Sequence, residues 1–392
     1  MNMRSVNIKT AWDAYVHNHP QGTYCHLYDW KPIIEGAYKH VATYLMALGT
    51  AAGQPGSQVT VTDISNIQNP VQANHVVGVL PLVHITPPLA GKRSYSMPFL
   101  DSGNALGDTE GIARQLQSRA LLVSNRLKAH SVEFRCDHNE PLESMCGSLA
   151  KVASNRKEND SSSGSQQHSY PYCSLSRDKV RMLLQLPDSS EDLFHSFKSK
   201  LRSQIKKPLK EGLRATSGGL ELFDHFYSIF SRNMRDLGSP VHGRGFIWAV
   251  LKHFPERSRI FAIYAGDVPV AASLVIGLKS TLANPWASSL KEFSRQSPNM
   301  LLYWSMLEYA CDSGYTSFDF GRSSRDGGTY RFKKQWGAKE HSTGWVSFSR
   351  KPARPKGSGH LPQYGVAVRL WQKMPLLAAN ILGPRLRKHI GL

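Results

Sequence analysis

S-F-D-F-G-R-S-S-R-D-G-G-T-Y-R-F-K-K-Q-W-G-A-K, from Ser317 to Lys339, is the stretch on which the reading of the fold turns. Phe318 to Phe320 reads as a strand, Gly321 to Gly328 as a glycine-rich loop, and Thr329 onward as a further helix or turn. Gly321, Gly327 and Gly328 permit positive φ and a close backbone approach. Loops past strand ends are where open α/β sheets bind ligands. Arg322 is suited to a bidentate grip on phosphate or carboxylate, with Ser323 beside it. Tyr330, Lys333 and Lys334 follow, and a lysine at Lys333 can neutralise a developing oxyanion or a leaving group. On pattern alone two readings stand open: an anion-binding loop, or a strand–turn–helix with solvated charges.

Upstream, Pro298 to Ser313 reads as a helix, with proline at its start and Gly314 just past its end. Ile260 to Ala265 and Val268 to Leu278 flank Gly266-Asp267, a hairpin turn signal, and Thr281 to Ser288 follows as a third strand. Leu220 to Leu237 has helical apolar spacing, and Ser189 or Ser190 caps a helix whose basic continuation carries Lys198, Lys200, Arg202, Lys206, Lys207 and Lys210. Pro208 predicts a break or kink there near Gln204. This basic segment fits an RNA backbone or, equally, a solvated helix face.

The first half has a similar style. Ala11 to Tyr15 reads as a short helix, Val41 to Leu48 as a strand, and Gly49 to Asn74 as a loop. His75 to Ile85 is a β-rich run in which Pro81 predicts an edge or bent strand. Ile112 to His130 is helical, Val132 to Arg135 is a strand, and Val180 to Leu186 reads as a strand returning to the first half. Ser154 to Ser169 lacks apolar residues and reads as a mobile insert. Trp345 to Phe348 closes the second half as a strand. Strands and helices thus alternate, which predicts an α/β (α+β) chain: residues 1–187 as a first domain, 188–350 as a second and 351–392 as a basic tail.

Composition narrows the class. The 392 residues are 41% hydrophobic, as in a globular chain. Lys and Arg number 48 against 29 Asp and Glu, a formal charge of +19 that favours anionic partners. Five cysteines without C-x-x-C spacing argue against a zinc knuckle or a disulfide framework and point to a reducing compartment. The scattered histidines show no metal-ligand spacing. No signal peptide or ~20-residue apolar span is visible, so a cytoplasmic location is expected. No G-x-S-x-G elbow, Walker loop or compact Gln/Arg-x-x-Gly-x-Gly/Ala pyrophosphate loop occurs, which weakens acetyl-CoA as the donor.

The order of motifs carries a resemblance. F-D-F-G-R-S from Phe318, then G-T-Y-R-F-K-K-Q-W-G from Gly328, resemble the terminal motif of FemAB-like proteins of the GNAT (Gcn5-related N-acetyltransferase) superfamily. The subgroup they resemble is associated with PEP-CTERM/exosortase and exopolysaccharide systems. Matching segments in the same order are W-D-A-Y-V from Trp12, H-L-Y-D-W from His26, V-V-G-V-L-P-L-V from Val76 and M-P-F-L-D-S-G-N from Met97. Further on come L-R-S-Q-I-K-K-P-L-K-E-G-L from Leu201, S-P-N-M-L-L-Y-W from Ser297 and W-Q-K-M-P-L-L-A-A-N-I-L-G-P from Trp371.

The resemblance implies tandem GNAT-like domains, each a mixed, mostly antiparallel sheet flanked by helices. It implies an acyl or aminoacyl (peptidyl) transferase acting on an amine of a cell-envelope, peptidoglycan or exopolysaccharide precursor. Aminoacyl-tRNA or an acyl thioester would be the cosubstrate, with no bound cofactor or metal. Lys333 matches the family's motif lysine. Gly321, Arg322, Ser323, Gly328, Tyr330, Lys334 and Trp336 would line the substrate loop. Asp29, Trp30, Pro98, Phe99 and Asp101 would come from the first half, with Asp29 or Asp101 accepting the amine proton. Asp101-Ser102-Gly103-Asn104 departs from the family's usual Asn/Tyr-Gly-Gly there, which bears on the acceptor. The alternative is a non-catalytic, GNAT-derived binding protein of an exopolysaccharide or exosortase system.

The tail has two readings as well. From Lys351 onward there are eight basic residues and no acidic one, interleaved with apolar residues and Trp371. Either a terminal helix packs on the second domain with its charges solvated, or the tail docks on an anionic inner-membrane surface. Pro375 and Pro384 predict short pieces rather than one long helix.

Overall fold

The computed structural model describes residues 8–49, 59–67, 75–88, 91–137, 142–154, 170–325, 327–352 and 362–391. The chain forms two compact units that interleave along the sequence. One comprises Met1–Asp178, Ser342–Pro355 and His389–Leu392; the other comprises Lys179–His341 and Lys356–Lys388.

In the first unit, α1 (Ile8–Asn18) and α2 (Trp30–Tyr38) precede β1 (Val41–Gly49), β2 (Thr60–Asp63), β3 (His75–Ile85), β4 (Arg93–Tyr95) and β5 (Leu106–Gly107). Then come α3 (Glu110–Arg126), β6 (Ser131–Asp137), α4 (Leu142–Ser154) and β7 (Tyr172–Ser176). α3 starts because the Thr109 hydroxyl accepts the Ile112 N–H, satisfying one orphan donor of the first turn. Its inward face (Leu116, Ala120, Leu121) packs with Leu80, Leu82, Val132 and Phe134 of the sheet.

The second unit contains β8 (Lys179–Gln185), α5 (Ser190–Ser196), α6 (Ser199–Lys210), β9 (Leu213–Gly218), α7 (Phe223–Asp236) and α8 (Arg244–His253). It continues with β10 (Ser258–Ala265), β11 (Val268–Leu278), β12 (Thr281–Ser289), α9 (Pro298–Asp312), β13 (Ser317–Ser324) and α10 (Gly328–Gln335). β14 (Lys339–Ser349) then carries the chain back to the first unit, and α11 (Pro362–Gln372) and α12 (Leu376–Arg387) belong to the second. Ser189 caps α5, accepting from Asp192 N at 3.1 Å. Pro298 opens α9, and Gly314 (φ +77°) ends it. Leu302, Met306, Leu307 and Ala310 of α9 are fully buried against Phe261, Ile263 and Phe318.

The strand order in the first unit is β2-β1-β3-β4-β6-β14, with β5 against β3 and β7 against β14. In the second it is β8-β13-β12-β11-β10-β9. Among the described residues each sheet is antiparallel except for one parallel pair: β4–β6 in the first and β12–β13 in the second. Both units are therefore mixed, mostly antiparallel sheets flanked by helices, the fold class expected from the sequence.

Several local expectations are corrected. Residues 49–74 are not one loop, because β2 pairs with β1 from Leu45↔Asp63 to Leu48↔Thr60. β3 is an inner strand despite Pro81. The proline falls at residues 80–82, which have no partner between β5 (at Gly78 and Val79) and β4 (from Val83), so no ladder bond is lost on that side. β8, expected to return to the first half, belongs to the second unit and pairs there with β13. α6 runs unbroken past Gln204, because Pro208 lies in its last turn, where little helix remains to disrupt. Pro375 separates α11 from α12 as expected, whereas Pro384 sits inside α12. Against the expectation from cysteine spacing, Cys146 of α4 and Cys173 of β7 form a disulfide. The insert at 154–169 lies, after Ser154, outside the described residues.

Candidate functional site

β12 and β13 run parallel in register for only three residue pairs, Thr281↔Ser317, Leu282↔Phe318 and Ala283↔Asp319. Beyond that level the two neighbours part. β12 continues along β11 to Ser289, and β13 continues along β8 to Ser324. The cause lies in both strands. On β12, Asn284-Pro285 places an extra residue opposite β11, whose register skips between Leu274 and Ile276. On β13, Phe320-Gly321 places an extra residue opposite β8, with a skip between Asp319 and Arg322. Gly321 has φ +76°, a left-handed conformation that glycine adopts without a steric penalty. A bulge bends its strand, and two at one level open the sheet.

Buried charges hold this elbow. Asp319 Oδ1 accepts the Gly321 N–H at 2.8 Å, and its Oδ2 accepts Arg181 Nε at 2.6 Å. The Arg181 and Asp319 side chains are 8% and 6% exposed. From the other side Lys333, itself buried, donates from Nζ to the carbonyls of Gly321 (3.1 Å) and Arg322 (2.9 Å). The ammonium thus satisfies carbonyls at the bulge, a charge-assisted arrangement stronger than neutral hydrogen bonds.

Aromatic rings from α9 and α10 back the opening. Tyr303 stacks on Phe320 with centroids 5.6 Å apart and meets Phe332 edge-on at 4.9 Å. Burial pushes the Tyr303 phenol up to about 12, an effect the Asn284 amide partly offsets. Asn284 Oδ1 accepts the Ser273 hydroxyl at 2.7 Å, while its Nδ2 makes no hydrogen bond of ordinary geometry. The buried Ser323 Oγ also lacks a hydrogen-bond partner. Native interiors hold few such groups, and each calls for an explanation.

The remaining sequence-selected residues of this unit are placed as follows. Arg322 is partly buried and sits in β13 opposite Arg181, not in a loop; Ser323 and Ser324 are likewise strand residues. Gly328 begins α10. Tyr330 donates to Glu340, whose Oε2 also accepts Arg325 Nε at 3.1 Å, and Lys334 Nζ lies 5.5 Å from the Tyr330 ring centre. The hydrogen bond to Glu340 raises the Tyr330 phenol, and the same bond lowers the Glu340 carboxyl. Trp336 is 1% exposed and packs with Phe197, Tyr303 and Phe332, a core position. Arg181 and Asn284 escaped the sequence reading. A lone arginine in the apolar run Val180–Leu184 and a proline inside β12 were the available signals.

In the first unit, Asp29 precedes α2 and pairs with Lys9 at 2.5 Å. Trp30 is fully buried and donates from Nε1 to Tyr24 O at 2.7 Å, again a core position. Phe99 (φ +69°) donates its N–H to Gly391 O at 3.0 Å and contacts the Tyr38 and His40 rings. Asp101 follows on the same irregular loop, partly buried. Among the described residues, no group of three or more His, Cys, Asp or Glu is placed to hold a metal ion.

Residues 195–334, spanning the parted strands, match the model of an acetyltransferase (GNAT) domain. The chain therefore carries a domain of the acyl-transferring kind. The crystal structure of FemX superposes over 94% of this chain and 100% of its own, with a TM-score of 0.59 at 15% identity, which establishes a shared fold. Two further structures align with TM-scores under 0.5. One is the C-terminal domain of a putative lysylphosphatidylglycerol synthetase from Agrobacterium fabrum (0.47; 11% identity; 75% of this chain and 84% of that one). The other is a tandem GNAT protein from the clavulanic acid biosynthesis pathway (0.44; 10% identity; 83% and 95%). No curated protein sequence matches the chain.

Proposed function

We propose that the chain transfers an activated acyl or aminoacyl group to an amine of a cell-envelope or exopolysaccharide precursor. The observation that carries this reading is the opening between β12 and β13 inside the segment that matches an acetyltransferase domain. Parted parallel strands offer backbone N–H groups to an extended donor. An aminoacyl ester of tRNA or an acyl thioester fits that role.

In this reading the acceptor amine attacks the donor carbonyl directly. A C–N bond forms, the C–O or C–S bond to the leaving group breaks, and the amine proton passes to a base. Backbone donors at the elbow, with the charge of Lys333 behind them, stabilise the tetrahedral oxyanion. Lys333 acts first by fixing the Gly321 and Arg322 carbonyls, so it positions the elbow as well as charging it. Arg322 and Ser323 hold the donor's anionic or polar part. Asp101 and Asp29 are the carboxylates to test as proton acceptors. Proximity of the bound reactants supplies much of the remaining rate.

Mass spectrometry of the envelope polymer from a strain lacking the gene tests the reading. One acyl or aminoacyl substituent should disappear, return with the wild-type chain and fail to return with Lys333→Ala. An unchanged polymer would refute the transferase assignment.

A further inference from the structure

α12 packs on α7 and buries Ala379 and Gly383, the latter against Val241 in the α7–α8 connection. A Cβ at Gly383 would stand 3.1 Å from Val241 N and 3.6 Å from the Trp371 ring, so the helix lies close to its support. Trp371, offered by the sequence as an interfacial anchor, is thus half-buried beneath the helix. The outward arc is unusual. Leu377 is 75% exposed, Ile381 50%, Leu382 41% and Leu386 49%. α11 adds Leu370 (66%) and Val366 (55%). A surface helix ordinarily turns its polar face outward. Here the apolar residues face outward, and the charged residues among them (Arg369, Lys373 and Arg385) are all basic and exposed. Neither helix contains an acidic residue.

Beneath this arc lies a cavity of about 670 Å³ bounded by α7, the start of α8 and α12. Ser228, Ser231 and Asn380 give it polar walls, and Asn380 Oδ1 has no hydrogen-bond partner. Arg244 and Arg385 line it against one acidic residue, Asp224, which is paired with Arg244. The exposed Ile381 lines it too, so apolar arc and cationic cavity share a rim.

We propose that α11 and α12 dock on an anionic phospholipid bilayer, with the phosphate of one lipid headgroup entering the cavity between α7, α8 and α12. Charge complementarity selects this occupant. Aliphatic side chains ringed only by arginine and lysine match the boundary of an anionic leaflet, where apolar burial and attraction to headgroups act together. A protein interface would instead be expected to carry aromatic anchors with both signs of charge. Nucleic acid offers nothing to cover exposed leucines. The proposal is independent of the reaction assigned above.

Flotation of the full chain with vesicles tests it at ~0.15 M salt, where exposed charges are substantially screened. The protein should float with mixed phosphatidylglycerol/phosphatidylcholine vesicles and not with phosphatidylcholine alone. Leu377→Glu combined with Ile381→Glu, both at exposed positions, should lower binding by roughly tenfold or more while leaving the thermal melt unchanged. Arg385→Ala should weaken binding roughly fivefold, and more than Lys373→Ala, which removes the same charge outside the cavity. Absence of flotation, or wild-type binding by the double variant, would overturn the proposal. A self-associated chain that the double variant dissolves, without vesicle binding, would show that a second copy covers the face and overturn it equally. Equal effects of Arg385→Ala and Lys373→Ala would remove the cavity from it.

Discussion

Each sheet contains one parallel pair that stays in register for three residues, and in each the strands then separate, yet the two partings are built differently. In the first unit β4 ends at Tyr95, opposite Glu133 of β6. Past Tyr95 the pairing passes to Ser96, whose N–H donates to Glu133 O (2.9 Å) and whose Oγ accepts the Arg135 N–H (2.8 Å), and the fully buried Arg135 side chain closes the parting. Its guanidinium donates to the carbonyls of Leu100 (2.6 Å), Met97 (3.3 Å) and Gly391 (2.5 Å) and lies 4.3 Å from the Trp345 ring centre. In the second unit the cation at the parting, Lys333, satisfies the strand's own bulged carbonyls, while Ser323 Oγ has no hydrogen-bond partner and Asn284 Nδ2 none of ordinary geometry. A gap stoppered by a saturated arginine serves stability. A gap framed by a lysine, with polar groups waiting, fits a ligand. Under the function proposed above, the same departure from regular pairing serves scaffold in one place and chemistry in the other.

The largest expected effect attacks the second elbow directly. Asp319→Ala leaves Arg181 buried without its counter-charge and should cost about 3–5 kcal/mol in denaturant unfolding. Replacing both residues by apolar ones of similar volume should recover much of that stability but not activity. Recovery of activity would show that the bulge geometry is irrelevant to function.

Lys333→Ala should lower turnover by roughly 10²-fold, the scale of losing one oxyanion donor, measured per folded molecule. Arg135→Met should instead destabilise by about 3 kcal/mol, because it strands buried carbonyls, while turnover per folded molecule stays near wild type. Equal losses of turnover in the two variants would erase the contrast between the partings.

Acid should expose a further difference. Burial lowers His26 and His84, both in the first unit, to about 4, so the fold holds them neutral. His84 lies between the Ser94 and Thr43 hydroxyls (2.8 and 3.0 Å), neither of which supplies a counter-charge. Their folded pKa values lie below the unfolded value. Their contribution is therefore complete above pH ~6.5 and is lost as pH falls towards 4, on the order of 2–3 kcal/mol per histidine. The second unit holds His242 lowered in the same sense by burial, with Arg387 adding to the effect. Denaturant titrations at descending pH should show this loss, and His84→Asn should flatten it. A variant with unaltered pH dependence would show that His84 is not responsible.

Ser323→Ala tests the smallest effect. With no hydrogen bond to lose, it should change stability by less than ~0.5 kcal/mol. If Ser323 meets the donor, KM should rise severalfold with kcat little changed.

Much of the fold was legible because local patterns and tertiary packing agree. The β10–β11 hairpin announced itself through Gly266-Asp267, and α9 through Pro298 and Gly314. α4 and α8 were not legible. Gly147 interrupts the helix signal of the first, and Gly245 lies in the first turn of the second. The glycine-rich stretch read as a loop from Gly321 to Gly328, but its first residues are strand. Arg322 to Ser324 extend a strand because β8, more than a hundred residues earlier, supplies the pairing. The Arg181–Asp319 contact is equally non-local, spanning 138 positions. Trp30 and Trp336 show the opposite error. An aromatic residue within a motif looks the same whether it faces a substrate or fills a core, and both fill cores.

β14 has a consequence for how the chain is made. Its residues from Thr343 onward lie between β6 and β7 as an interior strand of the first unit. The backbone of Gly391 completes the coordination of Arg135 in that same unit. On the ribosome, therefore, the sheet of the first unit cannot be finished until β14 has emerged. The segment from β8 to α10 has its strands in hand earlier. The first unit therefore cannot be complete before the second has been synthesised, unlike the usual case in which the leading domain folds first. Until residue 349 clears the exit tunnel, β6 waits with the edge that β14 will fill unpaired and β7 waits without the strand it pairs with, and these edges are where a nascent-chain chaperone would be expected to act.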